Sequence, residues 1–149
     1  MKSLLVAVDD SPGAVRVLRA GVDMAQRTSA QVRLLRVVGV PPDLAATEWA
    51  ASPTQVVDGF LVTARRDLEE MSALVPPELL AGLTVQVGTA WDAICSHAVE
   101  HDCDMIVIGS PGQGFFERLV GTTAAKVVNH ADRAVLVVPR EPREKGAVA

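Results

Sequence analysis

Cysteine is scarce in this chain. Cys95 and Cys103 are the only two in 149 residues, too few for a disulfide framework, and no C-x-x-C pair occurs. They read as buried thiols in a reducing compartment. Long apolar runs are also missing. None approaches the ~18 residues of a membrane span, and the opening MKSLLVAVDD meets two aspartates too soon for a secretory signal. A cytoplasmic location with no membrane partner is the expectation. No basic patch stands out against a net charge of −4 and a pI of about 5.3, which argues against nucleic acid and anionic surfaces as partners. The aromatic rings are three Phe and two Trp. With so few, Phe115 and Phe116 read as packing groups.

What is present is a strong hydrophobic pattern. Hydrophobic residues make up 49% of the chain and mean hydropathy is +0.27, so the chain is globular and long enough for one domain with a real core. Residues 1–140 read as that domain and 141–149 as a polar tail.

Apolar runs alternate with helical patterns. Leu4–Val8 reads as a strand, and Ser11 with Pro12 then reads as the cap and first turn of a helix carrying Val15, Leu18, Val22 and Ala25. Val32–Val38 is a second strand. A Pro- and Ala-rich loop leads to a helix over about 54–75, ended by Pro76 and Pro77. Leu83–Val87 alternates in polarity like an edge strand. Thr89 and Asp92 form a capping-box pattern before a helix with Trp91, Ile94, Cys95 and Ala98. Met105–Ile108 is apolar throughout, a helix follows over about 122–129, and Ala134–Val138 is the last strand. Strands separated by helices predict an α/β domain: a doubly wound, five-stranded parallel sheet in the order 3-2-1-4-5, with strands one, two, four and five buried. Ligands bind such sheets beyond the strand carboxyl ends where the order reverses.

The segment Met105–Thr123, MIVIGSPGQGFFERLVGTT, carries the chemistry. A strand runs into a glycine-rich loop that ends at a helix N-terminus, placing backbone N–H groups where a phosphate can sit. Gly109 and Gly114 have the spacing of a P-loop, but Phe115 and Phe116 stand where lysine and a hydroxyl residue belong. Gly112 and Gly114 begin a dinucleotide fingerprint, but Glu117 replaces its third glycine. The pattern that fits is Gly109-x-x-Gly112 followed by Gly121-Thr122.

That pattern resembles the nucleotide loop of the universal stress protein family, G-x2-G-x9-G-[ST]. LLVAVDDSPGAVRVLRAGVDMA is similar to the family's opening strand, aspartate and helix. GTAWDAICSHAVEHDCDMIVIGSPG and HADRAVLVVP resemble its second half, so nearly the whole chain is covered. The gap Gln113–Val120 is eight residues, one short of the family pattern, and Pro111 removes an N–H donor. The resemblance implies binding of ATP, with magnesium as its possible companion, or of a related adenine nucleotide. Phosphate would lie on Gly109, Gly112, Gly121, Thr122 and Thr123, and the nucleoside on Asp9, Val37 or Val38, and Ile108. It implies a stress-response regulatory module and not an enzyme, although slow ATP turnover is compatible with it. The competing reading is a dimeric interaction protein of the same fold without nucleotide. An adenine-nucleotide-dependent enzyme is disfavoured because no catalytic set is legible.

Other residue patterns in the chain bear on function. Asp9-Asp10 resembles the acidic pocket of a phosphorylated receiver domain, but strands three and five end in Val87-Gly88-Thr89 and Val138-Pro139-Arg140, without the required aspartate and lysine. Asp10 then reads as charge at a helix start. His97 and His101, at i and i+4, read as a solvated helix end with no metal, and His130 as a cation at another helix end. The apolar strand Ala134–Val138 at a sheet edge predicts a two-fold homodimer that covers it.

Overall fold

The computed structural model describes residues 1–39, 53–110 and 122–139. Gly112 and Gly121, the other residues of 111–121, and residues 40–52 and 140–149 lie outside them. The elements are β1 (Ser3–Ala7), α1 (Ala14–Thr28), β2 (Gln31–Val38), α2 (Pro53–Ser72), β3 (Leu80–Val87), α3 (Ala90–Glu100), β4 (Met105–Ser110), α4 (Thr123–His130) and β5 (Ala134–Pro139). The strands form a sheet in the order β3-β2-β1-β4-β5, with every neighbouring pair parallel. The predicted fold class and strand order hold.

The period of two along each strand divides the core into two layers. Leu4, Val6 and Val8 of the first strand region, with Val32 and Leu34 of β2, pack under α1 and α2. Leu5, Leu35, Ile106 and Ile108 pack on the other face under α3 and α4. β3 begins three residues earlier than the alternation predicts. Its pairing shifts between Val32 and Arg33, so that Val32 faces Leu80 and Arg33 faces Gly82; such a bulge breaks the period from which a strand start is read. β5 is less buried than its apolar sequence implies. Among its residues only Val138 is buried, because the strand stands at the sheet's edge.

Two caps differ from expectation. α1 starts at Ala14 behind Gly13, which makes no side-chain cap. Ser11 instead turns back, its N–H and Oγ donating to Asp9 Oδ1 at 3.0 and 2.5 Å. Thr89 sits at the N-cap of α3 but makes no side-chain cap bond.

The lower end of the sheet is tied by side chains. Arg133 Nη1 donates to Ala98 O at 2.9 Å and Cys103 O at 2.7 Å. Asp104 Oδ2 accepts from the N–H groups of Lys2 at 2.6 Å and Ser3 at 2.9 Å. These donors, that of Lys2 foremost, hold the Asp104 carboxyl below its usual range. A carboxyl depressed on folding stabilises above its unfolded pKa of about 3.9 and loses that contribution as pH falls through the folded value. Asp104→Asn should therefore lower the urea midpoint at pH 7, and the gap from wild type should close as the pH is taken below 3. A gap that is constant with pH would assign the effect to packing.

Candidate functional site

Three helices begin around one cleft above the carboxyl ends of β1 and β4. Its described lining is Ala7, Val8, Asp9, Ala14, Val17, Leu35, Val37, Ala90, Ile94, Ile108, Gly109, Thr123 and Ala124, around a volume of about 120 Å3. The position follows from topology. The chain leaves β1 toward β2 on one side, and β4 returns on the other, so the connections diverge and leave a gap between them. The first residues of α1, α3 and α4 (Ala14, Ala90 and Thr123) all border it. Their N-terminal N–H groups and dipoles favour a negative group there.

The structure brings most of the sequence-predicted residues together. Asp9 stands just beyond β1 with its carboxylate oriented by Ser11. Val37 lines the cleft and packs with the α3/α4 layer. Val38 does not line it: one residue along a strand reverses the side chain, and its carbonyl accepts from Gly88 N at 3.1 Å. Ile108 and Gly109 form the β4 wall, both buried. Thr123 is on the rim. Thr122 caps α4, its Oγ1 accepting from Ala125 N at 3.2 Å. Gly112 and Gly121 fall outside the described residues.

Sequence reasoning missed the alanines. Ala7, Ala14, Ala90 and Ala124 reach the cleft, and three of them lie at the first or second position of a helix. The signal was an alanine at the first or second helical position behind the caps at Gly13, Thr89 and Thr122. A methyl group there keeps the space open that a larger side chain would fill. Asp10 is turned outward, 82% exposed and 3.9 Å from Arg36, a surface pair of little energetic weight.

Other reactive groups sit away from the cleft. Burial, followed by the charges of Asp92 and Asp132, pushes the Cys95 thiol up, which makes it a poor nucleophile. Cys103 is buried. His130 does not stand free at its helix end but stacks on Trp91, ring centroids 4.5 Å apart. The expectation of a solvated His97 is overturned: it is 4% exposed, on the buried side of α3 with Ala93, Ile94 and Ala98. Burial, then the charge of His101, lowers its pKa and keeps the imidazole neutral at pH 7. Among the described residues, no helix is long and apolar enough to cross a membrane.

A family model for the universal stress protein family matches residues 1–139. Universal stress protein MJ0531 of Methanocaldococcus jannaschii is 26% identical over 150 residues, covering 96% of this chain and 85% of that protein. Universal stress protein Rv1996 of Mycobacterium tuberculosis is 28% identical over 94% of this chain, which spans only 49% of its length. Among solved structures, hypothetical protein MJ0577 superposes with a TM-score of 0.78 at 22% identity, over 95% of this chain and 98% of its own. A universal stress protein in complex with cAMP gives 0.66 at 19% identity, over 94% and 98%. The universal stress protein from Archaeoglobus fulgidus in complex with dAMP gives 0.56 at 22% identity, over 93% and 98%.

Proposed function

This chain belongs to the universal stress protein family, and from that premise we propose that it is a regulatory module of the stress response that binds ATP, or a related adenine nucleotide, between β1 and β4. The observation that carries the reading is the convergence of Asp9 and three helix N-termini on one cleft walled by Ile108 and Gly109. Two relatives of this fold were solved with cAMP and dAMP, which supports an adenine nucleotide as the class of ligand.

The cleft is small. About 120 Å3 is well below the roughly 300–1,000 Å3 of a pocket that swallows a drug-sized ligand. In this reading the nucleoside enters the cleft, where Asp9 accepts from ribose hydroxyls or the adenine amino group. The phosphates extend over the rim toward the Thr122–Thr123 start of α4, with Gly109, Gly112 and Gly121 giving backbone N–H groups close approach. Magnesium would accompany a triphosphate there, neutralising charge. Among the described lining residues Asp9 is the only titratable side chain, and its Oδ1 is engaged by Ser11. We therefore read the site as one for binding and not for hydrolysis. The module is further read as a cytoplasmic homodimer joined along the outer edge of β5, Ala134 to Val138, whose backbone edge is paired only to β4 among the described residues.

The test is the small-molecule content of the purified chain and its response to added nucleotide. A co-purified adenine nucleotide is expected after heat or acid release. ATP at a hundred times its Kd should add about 2.7 kcal/mol of stability, or a Tm rise of roughly 5–10 °C for a domain of this size. Absence of both would favour the nucleotide-free interaction protein.

A further inference from the structure

A second cluster of chemistry lies at the far end of α3 from the cleft. His97 and His101 are one helical turn apart, their ring centroids 4.2 Å from each other and their planes tilted by 42°. Glu100 falls between them in the chain, and one ligand atom from each of the three lies within 4.8 Å of the other two. His97 is 4% exposed, and its Nε2 is buried with no hydrogen-bond partner among the described residues. Buried polar atoms are nearly always satisfied, so one left open needs a reason. Histidine is also a costly choice for a site whose only role is packing, since any aliphatic side chain would fill it without a stranded nitrogen.

We propose that His97, Glu100 and His101 form a binding site for a divalent transition metal of the zinc class on the C-terminal turn of α3. Two imidazoles at i and i+4 present their nitrogens on one helix face, which is the spacing of a chelate. A nitrogen–nitrogen–carboxylate set suits zinc, nickel or copper and not magnesium or calcium. Donors bonded at about 2.1 Å to a tetrahedral ion lie about 3.4 Å apart. Side-chain torsions therefore need to draw donors within 4.8 Å of one another together by up to about 1.4 Å. Three protein ligands leave the fourth position open to water. Arg33 presents a positive charge to His97 from β2, and the Glu100 carboxylate opposes it. Ala90 and His101 bound opposite ends of α3, so at 1.5 Å per residue the metal sits about 15 Å from the nucleotide cleft. It is a separate site, and its test does not depend on nucleotide binding.

The experiment uses the untagged full chain, stripped with chelator and desalted, with Zn2+ and Co2+ as probes. One equivalent of Zn2+ should bind with a Tm rise of several degrees, and Co2+ should give the visible absorption of a low-coordinate ion. His101→Ala should weaken Zn2+ binding at least 50-fold and Glu100→Gln about 10-fold. Both positions are more exposed than His97, so the metal-free Tm of each variant should stay within a few degrees of wild type. No response to either metal overturns the proposal, as does full-affinity binding by either variant.

Discussion

Gly21→Ala is expected to destabilise this protein by up to about 2 kcal/mol, although alanine is the better helix former. On an exposed helix surface the exchange would gain up to about 1 kcal/mol. Gly21 is different because α1 lies directly on the central strand there. A Cβ built on Gly21 falls 2.5 Å from Val6 Cγ2, and Val6 is fully buried in β1. Valine has a stiff χ1, and Val6 belongs to one core layer with Leu4, Val17, Leu34 and Val107, the last two on the strands paired to it. Relief therefore requires an off-rotamer Val6 or a lift of α1 from the sheet. Overpacking of that kind costs about 1–3 kcal/mol, which outweighs the propensity gain. Urea titration gives the measurement: the midpoint should fall with an unchanged slope. Val6→Ala in the same chain should recover part of the loss, a coupling that a double-mutant cycle isolates. A midpoint that rises in Gly21→Ala would mean that α1 can stand off from β1.

Ala90→Trp should abolish nucleotide binding while leaving the fold in place. Ala90 is the first residue of α3, half-buried, and lines the cleft. An indole at that position occupies much of a space of about 120 Å3, the space assigned to the nucleoside. The expected loss of ATP affinity is at least 100-fold, about 2.7 kcal/mol, read by calorimetry. The Tm without ligand should change by no more than a few degrees, since Ala90 is half-buried and borders a cleft with room for the ring. Unchanged affinity would put the nucleoside elsewhere and would remove Asp9, Val37 and Ile108 from the site together.

The sheet was legible in the sequence because its strands are short apolar runs and its helices carry strict stripes. The order 3-2-1-4-5 followed from parallel connections in a doubly wound sheet, with strands one and four side by side at its centre and the alternating strand three at an edge. What escaped had local physical causes. The bulge at Val32/Arg33 concealed the start of β3. Ser11, which looked like a cap, served Asp9 instead, and a side chain with two possible acceptors carries no mark of which it takes. Val37 and Val38 are indistinguishable as letters, and only the register of β2 decides which faces the cleft. His97 read as solvated because the last turn of a helix is normally open. It is buried because the α3 stripe, with Ile94 and Ala98, continues through it onto the sheet. The alanines of the cleft carry no reactive group, so only their place behind a helix cap marked three of them, and their role is to leave space.

The strand at the centre of the sheet is the first one in the chain. Leu4 pairs with Val32 on one side and with Met105 on the other. Synthesis delivers β2 soon after β1, but the second edge of β1 stays bare until β4 has been made. Such long-range parallel pairing is slow to form. Asp9 waits on one wall of the cleft for Ile108 and Gly109 on the other. A nascent chain that stops short of β4 thus presents an open apolar strand edge at Leu4–Val6 and has no cleft to close. If the cleft holds the proposed nucleotide, that ability arises only as the sheet's second half docks, and binding would then report on completed folding.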